Sequence, residues 1–277
     1  MHCTSENTVT HHGHHLLPLV SAHFHKPASV EIKSLEVIFK DNKRLMSVTA
    51  YTYLPRLTTY PRFEGGVHCD AALALSFDAE VDNSVDILGR TCSMLPISNI
   101  EYLSISAPDM VRSVNWGELF QRCAKLTAIE AMGRGTSGLL KDLTPPKPKR
   151  ATPVGKVRKR KLDSRGVPAP APSNNAATAE MPIPIFPRLA SLFLIELDFG
   201  EPAQPSGTLY GVLSTTLRRR KACKVPLKML NIQYGSITTN LANALGKLVP
   251  EFLWSREEWP PFDEFDDLPD VMSTEDR

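Results

Sequence analysis

One short arrangement of apolar positions recurs along the chain. An apolar residue is followed by two others, an apolar residue, one other and a third apolar residue. It occurs at Ile32, Leu35 and Val37, at Ala72, Leu75 and Phe77, and at Ile100, Leu103 and Ile105. It returns at Leu126, Ile129 and Ala131, at Leu189, Leu192 and Leu194, and at Leu227, Leu230 and Ile232. The last two positions of each set alternate, so on a strand they share one face. Between the sets, apolar residues fall at helical spacing. Trp116, Leu119, Phe120 and Cys123 mark one helix face, and Leu209, Val212, Leu213, Thr216 and Leu217 mark a second. Ile237, Leu241, Leu245 and Leu248 mark a third, and Val85 and Leu88, ahead of Cys92 and Leu95, suggest another. Strand and helix alternate, which predicts an α/β fold.

The steps from Ala72 to Ile100 and from Ile100 to Leu126 both fall within the roughly 20–29 residues of a leucine-rich repeat. The expected architecture is a leucine-rich-repeat-like solenoid, with short parallel strands alternating with helices and the sheet as the binding face. The alternative is a generic α/β domain whose strands share a spacing. The longer step from Ile32 to Ala72 leaves room for a hairpin. Ile32–Phe39 and Leu45–Tyr53 both look like strands, and the polar run Lys40 to Arg44 between them is turn-like.

Composition changes this picture in three places. Residues 1–29 are polar and hold seven of the eight histidines. Residues 145–184 are a Pro/Ala/Lys/Arg/Asn run with almost no large apolar residue, too poor in burial to offset chain entropy. Residues 257–277 hold four glutamates and five aspartates against one arginine. The expected plan is therefore a disordered His-rich N-terminus (1–29), N-terminal repeats (30–144), a disordered basic insert (145–184), C-terminal repeats (185–256) and a disordered acidic tail (257–277). The net charge of +2 hides this segregation. The five cysteines are odd in number and lack a Cys-x-x-Cys pair, which fits a reducing compartment, nuclear or cytoplasmic. No apolar run approaches the roughly 20 residues of a membrane span, so no membrane partner is expected.

Four runs stand out in the C-terminal half: Ile185 to Leu194, Gly207 to Leu213 ahead of Arg218-Arg219-Arg220-Lys221, Pro226 to Ile232, and Leu248 to Trp254. On these, the region from Ile185 to Trp259 resembles the C-terminal leucine-rich-repeat half of the fungal F-box proteins. It implies a substrate receptor of a cullin-based ubiquitin ligase, with the repeats presenting a target. The F-box itself, a compact helical element that docks on the ligase adaptor, has only Leu17-Pro18-Leu19 as a counterpart. No adaptor-docking residue carries over, and capture of the adaptor by this chain as written is not expected.

Several motifs invite a chemical reading. Gly133-Arg134-Gly135-Thr136-Ser137-Gly138 matches the dinucleotide-binding G-x-G-x-x-G, but Pro145-Pro146 leaves the following helix too short to hold a pyrophosphate. A loop leading into the insert is the better reading, and no cofactor is expected. His11-His12 and His14-His15 offer imidazoles without rigid support, so no metal site is assigned. His68-Cys69-Asp70 are adjacent in the chain and cannot converge as a triad, so no catalytic residue is assigned and an enzyme is not expected. Arg218 to Lys221 close a predicted helix, where cations complement the negative helix end. The tail from Trp259 to Leu268 alternates aromatic and acidic residues, as a short docking motif or a solubilising tail.

The strongest candidate is the two-part basic cluster Lys147, Lys149, Arg150 and Lys156, Arg158, Lys159, Arg160, Lys161. Such clusters read as nuclear-import signals or as phosphate-contacting patches. No aromatic residue is interleaved, which argues against base stacking. The function expected is thus a non-enzymatic protein-interaction scaffold with a protein partner of unknown identity and possible recognition by an import receptor. The alternative is a nuclear nucleic-acid-associated protein acting through the basic insert. If 145–184 is an unpacked insert, light trypsin treatment is expected to cut there first and leave two folded pieces associated. Earlier cutting elsewhere would refute the plan.

Overall fold

The computed structural model describes residues 22, 31–40, 45–54, 71–78, 81–108, 111, 114–146, 184–200 and 208–255. Its strands are β1 (Ser34–Lys40), β2 (Leu45–Tyr51), β3 (Ala71–Asp78), β4 (Tyr102–Ser106), β5 (Ala128–Met132), β6 (Ser191–Ile195), β7 (Met229–Gln233) and β8 (Glu251–Trp254). Its α-helices are α1 (Val81–Met94), α2 (Trp116–Phe120), α3 (Ser137–Asp142), α4 (Leu209–Ala222) and α5 (Thr239–Gly246). All described strands join one sheet in the order β3-β2-β1-β4-β5-β6-β7-β8. The fold is α/β, with a mostly parallel sheet. β1, β4, β5, β6, β7 and β8 are parallel neighbours, and β1–β2–β3 form an antiparallel meander at one edge.

The recurring apolar sets explain this register. Leu35, Leu103, Ile129, Leu192, Leu230 and Phe252 stand opposite one another across the parallel strands, and so do Val37, Ile105, Ala131, Leu194, Ile232 and Trp254. The first member of each set, Ile32, Ile100, Leu126, Leu189 or Leu227, is also buried in the same core. A slip of one residue would turn two of every three apolar side chains to the opposite face, so the spacing itself fixes the pairing. Main-chain bonds just ahead of the strands repeat with the same regularity. Lys33 O accepts from Glu101 N and Tyr102 N, Glu101 O from Thr127 N and Ala128 N, Thr127 O from Ala190 N and Ser191 N, and Ala190 O from Lys228 N and Met229 N.

Helices follow β4 to β7 in turn and bury their apolar faces on this one core. α2 contributes Trp116 and Phe120, α3 Leu139 and Leu140, α4 Leu209, Leu213 and Leu217, and α5 Leu245. Their starts are encoded locally. Asn115 Oδ1 accepts from Glu118 N at 3.1 Å while its Nδ2 donates to Glu118 Oε2, a reciprocal cap for α2. Thr208 Oγ1 accepts from Gly211 N to open α4. Across the row, α1 packs on α2, α2 on α3 and α3 on α4.

Two expectations need correction, and one further set is added. The set at Ala72, Leu75 and Phe77 lies on β3, which pairs antiparallel with β2 at the sheet edge. It therefore adds no parallel strand between β1 and β4. Its Leu75 and Phe77 still face the core, because alternation on any half-buried strand satisfies the same spacing. The helix marked by Trp116 to Cys123 ends at Phe120, and Cys123 is buried in the turn beyond it. A further set, Val249, Phe252 and Trp254, lies on and before β8, where aromatic residues replace the aliphatic ones. The predicted hairpin is present as β1 and β2.

Leu192 is fully buried between Ile129 and Leu230. Leu192→Ala is expected to cost about 3–5 kcal/mol of unfolding free energy by chemical denaturation, because neighbours on both sides are fixed in register and cannot close the cavity. A loss below about 1 kcal/mol would contradict this packing.

Candidate interaction surface

The core-facing residues of each strand alternate with residues on the opposite face. Their rows follow from the register. One row runs Thr49, Glu36, Ser104, Glu130, Phe193, Asn231, Leu253. The row before it runs Tyr51, Ser34, Tyr102, Ala128, Ser191, Met229, Glu251. Tyr102, Ala128 and Phe193 form a second buried cluster with Met229 against it, and no described helix residue belongs to that cluster. Among the described residues, helices cover one face of the sheet and leave the other to these polar and aromatic side chains.

Hydrogen bonds order that face. Tyr102 donates its hydroxyl to Glu130 Oε2 at 2.8 Å, and Ser104 Oγ donates to Glu130 Oε1 at 3.2 Å. Tyr51 donates to Glu36 Oε2 at 3.0 Å, and its ring centroid lies 5.4 Å from that of Tyr53. Ser34 Oγ donates to Tyr53 O at 2.8 Å. Tyr53 and Leu253 are each 38% exposed, the first beyond β2 and the second on β8. The sequence pattern points to the sheet as the binding face but names none of these residues, which occupy the positions between apolar ones and meet only through the sheet register.

The glycine motif is a packing device. Gly133 has φ +78°, a left-handed conformation that favours glycine. A Cβ on it would lie 2.6 Å from Ala107 O. A Cβ on Gly135 would lie 2.8 Å from Ala107 O and closer still to Pro108 O. Gly135 N donates to Ala107 O at 2.9 Å, and Gly133 N donates to Ile195 O at 3.2 Å. The glycines thus let the turns after β4, β5 and β6 approach one another. The helix that follows is Ser137–Asp142, only six residues. Asp142 Oδ2 accepts from Gly117 N at 2.8 Å at the start of α2; burial raises its carboxyl above the usual range, and this bond opposes the shift.

The basic run closing α4 divides by side. Arg218 and Lys221 are exposed, but Arg220 is fully buried. Its Nη1 donates to Ile185 O at 3.2 Å, and its Nη2 donates to Phe186 O at 3.0 Å and Leu189 O at 3.3 Å. Burial pushes this guanidinium down to about 10, so it remains a cation at neutral pH. Arg219 Nη1 donates to Pro145 O at 3.1 Å, and Thr216 Oγ1 bonds both Thr144 Oγ1 and Leu140 O. One helix turn therefore holds the chain on both sides of the basic insert. The helix-end reading of this run captured the charge but missed the clamp.

The basic cluster Lys147, Lys149, Arg150, Lys156, Arg158, Lys159, Arg160 and Lys161 lies outside the described residues. So do His11 to His15, His68 to Asp70 and the tail from Trp259. Among the described residues no group of His, Cys, Asp and Glu is placed to hold a metal ion. Cys92 and Cys123 are buried, and burial pushes both thiols up to about 12, which keeps them protonated and poorly nucleophilic. No described helix is long and apolar enough to cross a membrane. Comparison of the chain with protein-family models, curated proteins and solved structures finds no match.

Gly135→Ala is expected to lower the melting temperature and cost about 2 kcal/mol or more, because backbone rather than a flexible side chain must move. Arg220→Met is expected to cost about 3 kcal/mol by leaving buried carbonyls without donors, while the exposed Arg218→Ala changes stability by less than about 0.5 kcal/mol. Equal effects at positions 218 and 220 would contradict the clamp.

Proposed function

We propose that the chain is a non-enzymatic interaction scaffold, a short leucine-rich-repeat-like solenoid whose sheet face opposite the described helices docks a protein partner. The observation that carries this reading is the one-sided distribution of helices over an in-register parallel sheet. Such a sheet presents a wide, ordered surface, and repeat architectures use that surface for binding. The aromatic and polar content of the face suits recognition of a protein, since tyrosine and phenylalanine are enriched in the cores of interfaces. One position departs from the usual repeat. The site that typical repeats give to Asn or Cys, three residues past the last apolar position, holds Lys40, Pro108, Arg134, Leu197 or Gly235. The turns here are instead closed by main-chain bonds such as Ala107 N to Met132 O and Glu196 N to Gln233 O.

The resemblance to F-box receptors makes a ligase target the partner class that this reading favours, without adaptor docking by residues 1–277 themselves. A second reading rests on the nine Lys and Arg residues between Pro145 and Arg165. It assigns the basic insert to nuclear import or to phosphate contact in a nucleic-acid-associated nuclear protein.

Crosslinked purification of the tagged full chain separates these readings. The scaffold reading expects a protein partner that is lost with Tyr53→Arg/Leu253→Arg and kept when Arg158, Lys159, Arg160 and Lys161 are replaced by alanine. The nucleic-acid reading expects the reverse, with captured nucleic acid released steeply by salt. Identical capture by wild type and the face variant would remove the scaffold reading. Stoichiometric recovery of the ligase adaptor would overturn the exclusion of adaptor docking.

A further inference from the structure

The turns that enter the last four parallel strands share one sign of charge. They are residues 121–127 before β5, 185–190 before β6, 223–228 before β7 and 247–250 before β8. Together they hold six cations, Arg122, Lys125, Arg188, Lys224, Lys228 and Lys247, all exposed, and no Asp or Glu. The turn that enters β4, residues 95–101, holds no cation and one acid, Glu101. The ladder sets the four turns side by side, since Thr127 O accepts from Ala190 N, Ala190 O from Lys228 N and Lys228 O from Glu251 N. Lys125 and Arg188 stand at equivalent places, each two residues ahead of a ladder partner. Arg122 Nη1 donates to Ser93 O at 3.1 Å, which pins the first of the six. Arg219 and Arg220 hold Pro145 and Ile185, the described residues on either side of the basic insert, at the end of α4 that leads into this edge.

Neighbouring strands are about 4.8 Å apart, so the row from β5 to β8 is about 14 Å long. That length covers about four nucleotide steps along one strand of a duplex, at about 3.4 Å each. A row of exposed cations with no acid among them attracts a polyanion, because each phosphate contact releases a condensed counterion. A protein partner needs an apolar centre as well. Of the exposed large hydrophobic residues, Tyr53 and Leu54 lie beyond β2 and Leu253 lies within β8, so only Ile185 stands at this edge. The one aromatic residue in the four turns, Phe186, is buried, so a single strand finds no platform on which to stack its bases. We infer that this edge binds the phosphate backbone of a nucleic-acid duplex without reading its sequence. The inference goes beyond the scaffold reading, since the edge is not the sheet face, and it moves the phosphate contact of the second reading onto folded residues.

Fluorescence anisotropy of the full chain with a short labelled DNA duplex of random sequence, over a series of salt concentrations, tests this. Binding is expected to weaken steeply as salt rises. Arg188→Ala/Lys228→Ala/Lys247→Ala is expected to weaken it about tenfold or more and to lower the slope of the log–log salt plot by about two to three, roughly one per lost phosphate contact. Lys40→Ala, at the far end of β1, is expected to change neither. Circular dichroism melting checks that the triple variant folds; if it does not, the single variants Arg188→Ala and Lys228→Ala decide. No binding of the duplex, a folded triple variant with wild-type affinity, or tighter binding of a single strand of equal length would overturn the inference. Competition by polyglutamate as strong as by unlabelled duplex would overturn it in favour of an acidic protein. Loss of binding only when Arg158, Lys159, Arg160 and Lys161 are replaced by alanine, with the edge variant unaffected, would overturn it and leave the second reading standing. None of these outcomes touches the scaffold reading, which partner capture by the Tyr53/Leu253 variant tests by itself.

Discussion

The structure depends on one constraint, the stacking of apolar triplets in register from strand to strand. From β1 through β4 to β7 each set buries its three side chains in one core with its neighbours, and each buried aliphatic side chain contributes roughly 1.5–3 kcal/mol. None of the strands is long; β4 to β7 have five residues each. A five-residue strand has little stability alone, so its place is fixed by its neighbours. That is why features that let turns approach, such as Gly133 and Gly135, or that pin the chain, such as Arg220, lie at the joints between strands.

The same constraint shapes the exposed chemistry. Because every described helix in the row buries its face on one side of the sheet, the other side holds the residues between the apolar positions. Regular register then turns isolated residues into rows. Glu36 and Glu130 are far apart in the chain yet equivalent in the sheet, and each receives a tyrosine hydroxyl from the preceding row. A surface of this kind is made by repetition, not by any local motif. The α4 clamp is the complement on the helix side. It ties Pro145 to one arginine and Ile185, Phe186 and Leu189 to the next, so a long basic insert interrupts the chain without interrupting the sheet.

Much of the core was legible in the sequence because its spacing is short and repeated; Leu35, Leu103, Ile129, Leu192 and Leu230 announce their own alignment. The Ala72 set was misplaced because a three-point spacing describes an antiparallel edge strand as well as a parallel one. The Val249 set was overlooked because Phe252 and Trp254 stand where leucine is expected. The role of Arg220 was hidden within a basic run, where burial of one member cannot be read from composition. The Tyr51–Glu36 and Tyr102–Glu130 pairs were illegible for a different reason. Their members are 15 and 28 residues apart, and only the register brings them together.

The central claim is that, among the described residues, helices pack on one face of the sheet and leave accessible positions on the other. Methionines sample both sides. Met132 and Met229 lie on the helix-free face and are partly exposed, while Met46 points into the core and is fully buried. Peroxide footprinting of the folded full chain, read by peptide mass spectrometry, measures the accessibility of each. The account predicts that Met132 and Met229 are converted to the sulfoxide well before Met46. Protection of Met132 and Met229 to the same degree as Met46 would mean that the face is covered, and would contradict the claim.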